Sequence, residues 1–149
     1  MQQNFIVSKV EDLDQVAQTV TEYFGEFEVY ALEGEMGSGK TTFMRALGRI
    51  LNVNEEVNSP TYSLVNEYTI DNSIMRIFHF DLFRLNNVED LIELGFEEYL
   101  HAPDVYVFIE WWQIAKPLLE KVDYVHILFE KIDEYTRKIC IQKIYAGVC

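Results

Sequence analysis

An α/β architecture, a mixed sheet flanked by helices, is what this sequence predicts, and three observations predict it. A short apolar run, Val29 to Leu32, leads straight into a glycine-rich stretch at residues 34–42, after which a helical pattern begins. A second run, Val105 to Ile109, is apolar without a break, as a parallel strand covered on both faces requires. Two strand-like segments, Ser63 to Ile70 and Ile74 to Asp81, flank Asp71-Asn72-Ser73, which is turn chemistry for an antiparallel hairpin.

Taken in order, Phe5 to Val7 starts a strand. Ser8 with Glu11 three residues later is a capping box, and Leu13, Val16, Ala17, Val20 and Phe24 recur at helical spacing until Gly25 stops the helix. The spacing predicts a second helix over Thr41 to Leu51, ending before Asn52. Arg76 interrupts the segment Ile74 to Asp81, which argues against a central place for that strand. Asn87 can cap a helix over Val88 to Leu94, with Gly95 just past its end. Tyr124 to Phe129 and Thr136 to Ile144 read as a closing strand pair. No repeat and no linker divides the chain, so residues 1–149 are expected to form a single domain.

Composition narrows the class. A chain of 149 residues with 49% hydrophobic and 14% aromatic residues is not disordered and has a core to bury. No apolar run approaches the roughly 18 residues of a membrane span, and the first dozen residues lack the pattern of a secretory signal. A cytoplasmic protein with no membrane partner is expected. The two cysteines, Cys140 and Cys149, have neither metal-ligand nor redox spacing. Twenty-five acids against 12 bases give a net charge of −13. Such a surface repels a phosphate backbone, whose binding is driven by Lys and Arg, so any role near RNA would run through a partner.

The chemistry begins at Gly34-Glu35-Met36-Gly37-Ser38-Gly39-Lys40-Thr41, which matches the phosphate-loop pattern GxxxxGK[ST] in full. Its glycines let backbone N–H groups converge on an anion, and the following helix adds the positive end of its dipole. The fold class is thus P-loop NTPase-like, with residues 34–42, Thr42 included, around a nucleotide. Lys40 would reach the β- and γ-phosphates, and the Thr41 hydroxyl would ligate Mg²⁺. With a role confined to phosphates, replacing Lys40 by Ala is expected to leave the fold nearly untouched. Glu110 ends the apolar run 105–109 in the Walker B manner and is assigned to the metal, while Asp81 is a second acid near the γ-phosphate. Catalysis would rest on Asp81, Lys40 and Glu110.

His79, Asp81 and Arg84 lie together in the cluster HFDLFR, and His79 shares a strand face with Asp81 by the period of two. The three histidines show no paired metal-ligand spacing, so His79 reads as a γ-phosphate-sensing element or as a structural histidine. Arg84 is read as a phosphate ligand or as the partner of a nearby acid. Ser59, Pro60 and Thr61 form a polar turn where many P-loop proteins carry a switch segment. Trp111 and Trp112, adjacent at a strand's carboxyl end, read as core or as a partner contact, and Trp111 is taken as the partner residue. Five arginines in all, none clustered and none evidently near the loop, fit a nucleoside or metabolite kinase poorly, and no NKxD sequence reads guanine. A second alternative is an ATP-sensing interaction module without turnover.

The ordered set GEMGSGKTTF, SPTY, HFDLFR, Leu94-Gly95 and Ile109-Glu110-Trp111 resembles the TsaE (YjeE) family, from about Ser8 to Arg137. The sequence departs from that family at Phe83, usually Tyr, and at Trp112, often Pro or Ala. The resemblance implies an ATPase for threonylcarbamoyl-adenosine in tRNA, weak alone, that binds TsaB and TsaD and uses ATP to reset them. It implies ATP and Mg²⁺ as cofactors, with Lys40 and Thr41 on nucleotide and metal, Glu110 on Mg²⁺ and Asp81 assisting hydrolysis. The tRNA contact would belong to the partners. The adenine base is expected between the segment at Val10 and the strand end at Lys131.

Overall fold

The two ends of the chain meet in one strand pair. β1 (Gln2–Val7) runs antiparallel to β7 (Arg137–Ile144), with Gln2 opposite Gln142 and Val7 opposite Arg137. This long-range pairing extends β1 three residues beyond the apolar run that announces it. The structure is a computed structural model that describes residues 2–58 and 64–147. Ser59, Pro60 and Thr61, and with them the expected switch segment, lie outside the described residues.

The Ser8–Glu11 capping box does not form. Helix α1 (Asp12–Thr21) instead takes its lead-in from Asp12, whose Oδ2 accepts from the backbone N–H of Ser8 at 3.0 Å and of Lys9 at 3.1 Å. Asp12 thereby ties the turn before the helix to its first residue, while the first helical N–H groups donate to the carbonyls of Lys9, Val10 and Glu11. The helix ends at Thr21, three residues before Phe24, and turns carry the chain past Gly25.

Strand β2 (Val29–Glu33) is followed by α2 (Lys40–Leu51), and the hairpin β3 (Val65–Thr69) and β4 (Arg76–Asp81) comes next. α3 (Val88–Glu93) begins at Asn87, whose Oδ1 accepts from Asp90 N at 2.9 Å. Gly95, at φ 79°, turns the chain from there into α4 (Phe96–Leu100), a short helix with no sequence signal of its own. β5 (Val105–Glu110), a 3-10 turn (Trp112–Ala115), α5 (Lys116–Leu119), β6 (Tyr124–Lys131) and β7 complete the chain.

All seven strands join one sheet in the order β1-β7-β6-β2-β5-β4-β3. β2 lies at its centre, parallel to both β5 and β6, and β4 is parallel to β5. The remaining pairs are antiparallel, so the sheet is mixed. Alternation along each central strand feeds two cores. Tyr30, Leu32, Tyr106 and Phe108 pack under α1 and α2, while Val29, Ala31, Val107 and Ile109 pack against α3, α4 and α5 on the other face.

β4 corrects the expectation drawn from Arg76. It is paired on both sides, and Ile77, Phe78, His79 and Phe80 are all buried. Arg76 sits only at its first position, where its guanidinium meets Glu67 at 2.7 Å on the surface. The polar residue inside the strand, His79, is tolerated because it has a partner. No helix among the described residues is long and apolar enough to cross a membrane.

Candidate nucleotide site

Parallel strands aim their carboxyl ends at one edge of the sheet, and ligands of open α/β sheets bind outside that edge. Here β2, β4, β5 and β6 deliver Glu33, Asp81, Glu110 and Lys131 to it. The chain leaving β2 must turn sharply into α2, and it does so through Gly37 at φ 77° and Gly39 at φ 110°. Side chains rarely adopt such angles, so glycine is required there. Gly34 is needed for a different reason. A Cβ on it would lie 2.5 Å from Ser38 Oγ and 2.7 Å from the carbonyl oxygen of Phe129.

Lys40 opens α2 and is buried. Its ammonium donates to the Gly34 carbonyl at 2.6 Å, bridging the two ends of the loop. The same ammonium lies 3.7 Å from Glu110 Oε1 and 4.7 Å from the centroid of the Trp111 ring. A lysine closing the loop on itself in this way is preorganised, since the charge stays at the cradle and a phosphate has only to displace a carbonyl.

Glu110 is 4% exposed. Its Oε2 is 2.5 Å from His79 Nε2, leaving Oε1 towards Lys40 at a distance longer than a hydrogen bond. Asp81 stands opposite Glu110 in the β4–β5 register. Its Oδ1 accepts from Phe83 N at 3.0 Å, which fixes the carboxylate at the strand end. Burial pushes the Asp81 carboxyl above the usual range; the Phe83 N–H opposes that shift, and the negative charge of Glu110 adds to it.

These groups wall a cavity of about 840 Å³, inside the range of small-molecule sites. Met36, Gly37, Gly39, Lys40, Thr41 and Thr42 form its floor, and Asp81, Glu110, Trp111 and Arg84 form one side. Val10 also lines this cavity, and Lys131 does not. Lys131 lines a second cavity of about 410 Å³ with Gly34, Glu35 and Ser38, on the other flank of the loop. The turn after β6 carries the chain back, so the residues facing Val10's cavity are Glu134, Tyr135 and Arg137.

Three further expectations are narrowed or corrected. His79 is fully buried and reaches the cavity only through Glu110, so it stands behind the wall. Trp112 is core, packed 5.9 Å from Tyr124 and donating to Glu33 Oε1 at 3.1 Å, so only Trp111 of the pair faces the site. Trp111 holds a left-handed backbone at φ 55°, a conformation strained for so bulky a residue, and packs 5.0 Å from the exposed Phe83. Finally, an arginine does lie at the loop. Arg137 donates to Gly37 O at 3.1 Å and to Asp133 O at 2.9 Å, strapping the β6–β7 turn to the phosphate loop. Nothing local to Arg137 signals this role. The signal is topological, because a strand parallel to β2 must end at the loop's edge and turn there.

A Mg²⁺ ion fits the oxygen donors at this edge. Thr41 follows Lys40 at the start of α2, and Thr41 and Glu110 line the same cavity. Among the described residues no three His, Cys, Asp or Glu side chains gather to cage an ion.

Comparison with known proteins agrees with this architecture. The family model described as threonylcarbamoyl adenosine biosynthesis protein TsaE matches residues 7–139. The TsaE protein of Aquifex aeolicus is 31% identical over 93% of this chain and 94% of its own length. That of Rickettsia felis is 32% identical over 91% of this chain and 76% of its own. The crystal structure of Bacillus subtilis YdiB superposes with a TM-score of 0.77 at 22% identity, covering 97% of this chain and 86% of that one, which shows a shared fold. With a family match that spans β2, the phosphate loop, β4 and β5 in one alignment, the chain belongs to the TsaE family.

Proposed function

We propose that the chain is a Mg²⁺-dependent ATPase of threonylcarbamoyl-adenosine biosynthesis, working in the cytoplasm with TsaB and TsaD. The observation that carries the reading is Lys40, a buried ammonium tethered to Gly34 O in a cavity that Asp81 and Glu110 also line. A buried cation beside converging N–H groups is a phosphate site, and two acids at adjacent strand ends supply the metal and water side of it. The names of the family and of its relatives support the pathway.

In this reading Lys40 and the backbone of residues 37–42 bind the phosphates. Thr41 and Glu110 hold Mg²⁺, which when bound neutralises charge developing on the phosphate oxygens. Asp81, kept more basic than an ordinary aspartate by burial, orients the attacking water and accepts its proton. Trp111 and Phe83 exclude water from one side of the cavity. Both rings also reach the surface beside Arg84, which makes this corner the natural place for TsaB and TsaD to sense the phosphates. A net charge of −13 leaves tRNA to those partners.

Affinity capture with TsaB and TsaD, with and without Mg²⁺–ATP, tests the reading. ATP should increase recovery of the three-protein complex, and equal recovery in both conditions would refute an ATP-dependent association.

A further inference from the structure

His79 is the residue of β4 that packing alone does not account for. Its strand neighbours are apolar, with Ile77 in one core and Phe78 and Phe80 in the other. The imidazole has no exposure at all. A buried ring of this kind is costly unless its nitrogens are satisfied, and here only one is. Nε2 lies 2.5 Å from Glu110 Oε2, while Nδ1 has no hydrogen-bond partner among the described residues. An orphan N–H is less tolerable than a bare lone pair, so the proton belongs on Nε2, where it is donated to the carboxylate.

We infer that His79 is a positioning residue for Glu110, fixing the carboxylate's rotation so that Oε1 alone faces the cavity. The inference rests on the reading of Glu110 as the acid that holds the metal. The geometry shows what the restraint prevents. Lys40 Nζ is 3.7 Å from Oε1, too far for a direct hydrogen bond, while it donates to Gly34 O at 2.6 Å. A carboxylate free to rotate would turn both oxygens onto the ammonium 3.7 Å away and close a direct ion pair. That pair would occupy the metal's ligand and draw the ammonium off the phosphates. Holding Oε2 from behind keeps Oε1 for the metal and Lys40 for the nucleotide. Groups that orient a ligand from behind typically contribute about 10–100-fold to metal affinity.

The test uses Mn²⁺ as the probe and the chain loaded with a non-hydrolysable ATP analogue. Mn²⁺ affinity is read by electron paramagnetic resonance, and analogue affinity in EDTA by calorimetry. His79→Leu should weaken Mn²⁺ about 10–100-fold while leaving the metal-free affinity unchanged. His79→Gln should restore most of the loss, because its amide N–H ends where Nε2 does. His79→Asn, whose amide stops short of Glu110, should not. The Gln and Asn pair carries the test by itself if the leucine variant does not fold. Unaltered Mn²⁺ affinity in His79→Leu, or equal behaviour of the Gln and Asn variants, would overturn the inference alone. An unaltered chain that binds no analogue would overturn the reading of the site and this inference with it.

Discussion

Replacing Lys40 by Ala separates the two charges that share the centre of the site. The ammonium is buried, and so is Glu110 facing it at 3.7 Å. Truncation leaves that carboxylate with His79 as its one close side-chain partner among the described residues. Breaking a buried ion pair by removing one partner costs about 3–5 kcal/mol, which in a chain of this size lowers Tm by about 6–20 °C. The fold is therefore not indifferent to Lys40, contrary to what the motif alone suggests. On the binding side, the ammonium exchanges one carbonyl contact for charge-assisted bonds to phosphate worth about 1.5–3 kcal/mol. Their loss weakens Mg²⁺–ADP about ten- to 150-fold. Lys40→Ala combined with Glu110→Gln removes both charges, and should recover the stability without recovering the affinity. Thermal unfolding and calorimetry on the three chains measure both effects. A single variant that binds Mg²⁺–ADP as tightly as the unaltered chain would refute the phosphate assignment. A double variant no more stable than the single would refute the pairing with Glu110.

The two acids should separate by function. Glu110→Gln weakens nucleotide binding only when Mg²⁺ is present, whereas Asp81→Asn largely spares binding and depresses hydrolysis, as calorimetry and a phosphate-release assay would show. Asp81→Asn has a pH signature as well. Its carboxyl lies above its unfolded value in the fold, so the charged form opposes folding; the variant should unfold at a higher temperature at pH 7, and the gap should close as pH falls and Asp81 takes up its proton. Arg137→Ala cuts the strap to Gly37 O at 3.1 Å and should weaken Mg²⁺–ADP by up to about tenfold, the scale of one solvent-exposed charged hydrogen bond. Affinity unchanged in that variant would show the strap to be ornamental to binding.

The sheet's central strands and the phosphate loop were legible because their signals are local. The apolar run 105–109, the turn at 71–73 and the glycine pattern each specify their own structure within a few residues. What escaped was set by contacts across the chain. β4 reads as peripheral because Arg76 stands in it, yet Arg76 pairs with Glu67 on the surface and the strand behind it is buried between two neighbours. His79 reads either as a sensor beside Asp81 or as a structural histidine, and only the β4–β5 register shows that its ring reaches Glu110. Val10 and Lys131, expected to flank one base, line different cavities, since the turn that reverses the chain after Lys131 has no strong sequence signal. Arg137 meets a carbonyl 100 residues away, a contact that follows from strand order and from nothing near it in sequence.

ATP turnover by the purified chain, measured alone and then with TsaB and TsaD, tests the proposed role most directly. The structure supplies a bound lysine and two acids, and of the two arginines that line the cavity, Arg84 and Arg137, the second is engaged with backbone carbonyls. An arginine supplied by a partner is worth about 10³–10⁵ in rate for related chemistry. Slow hydrolysis by the chain alone, raised when both partners are added, is the predicted result. Fast hydrolysis that neither partner alters would contradict it and leave a stand-alone ATPase in its place.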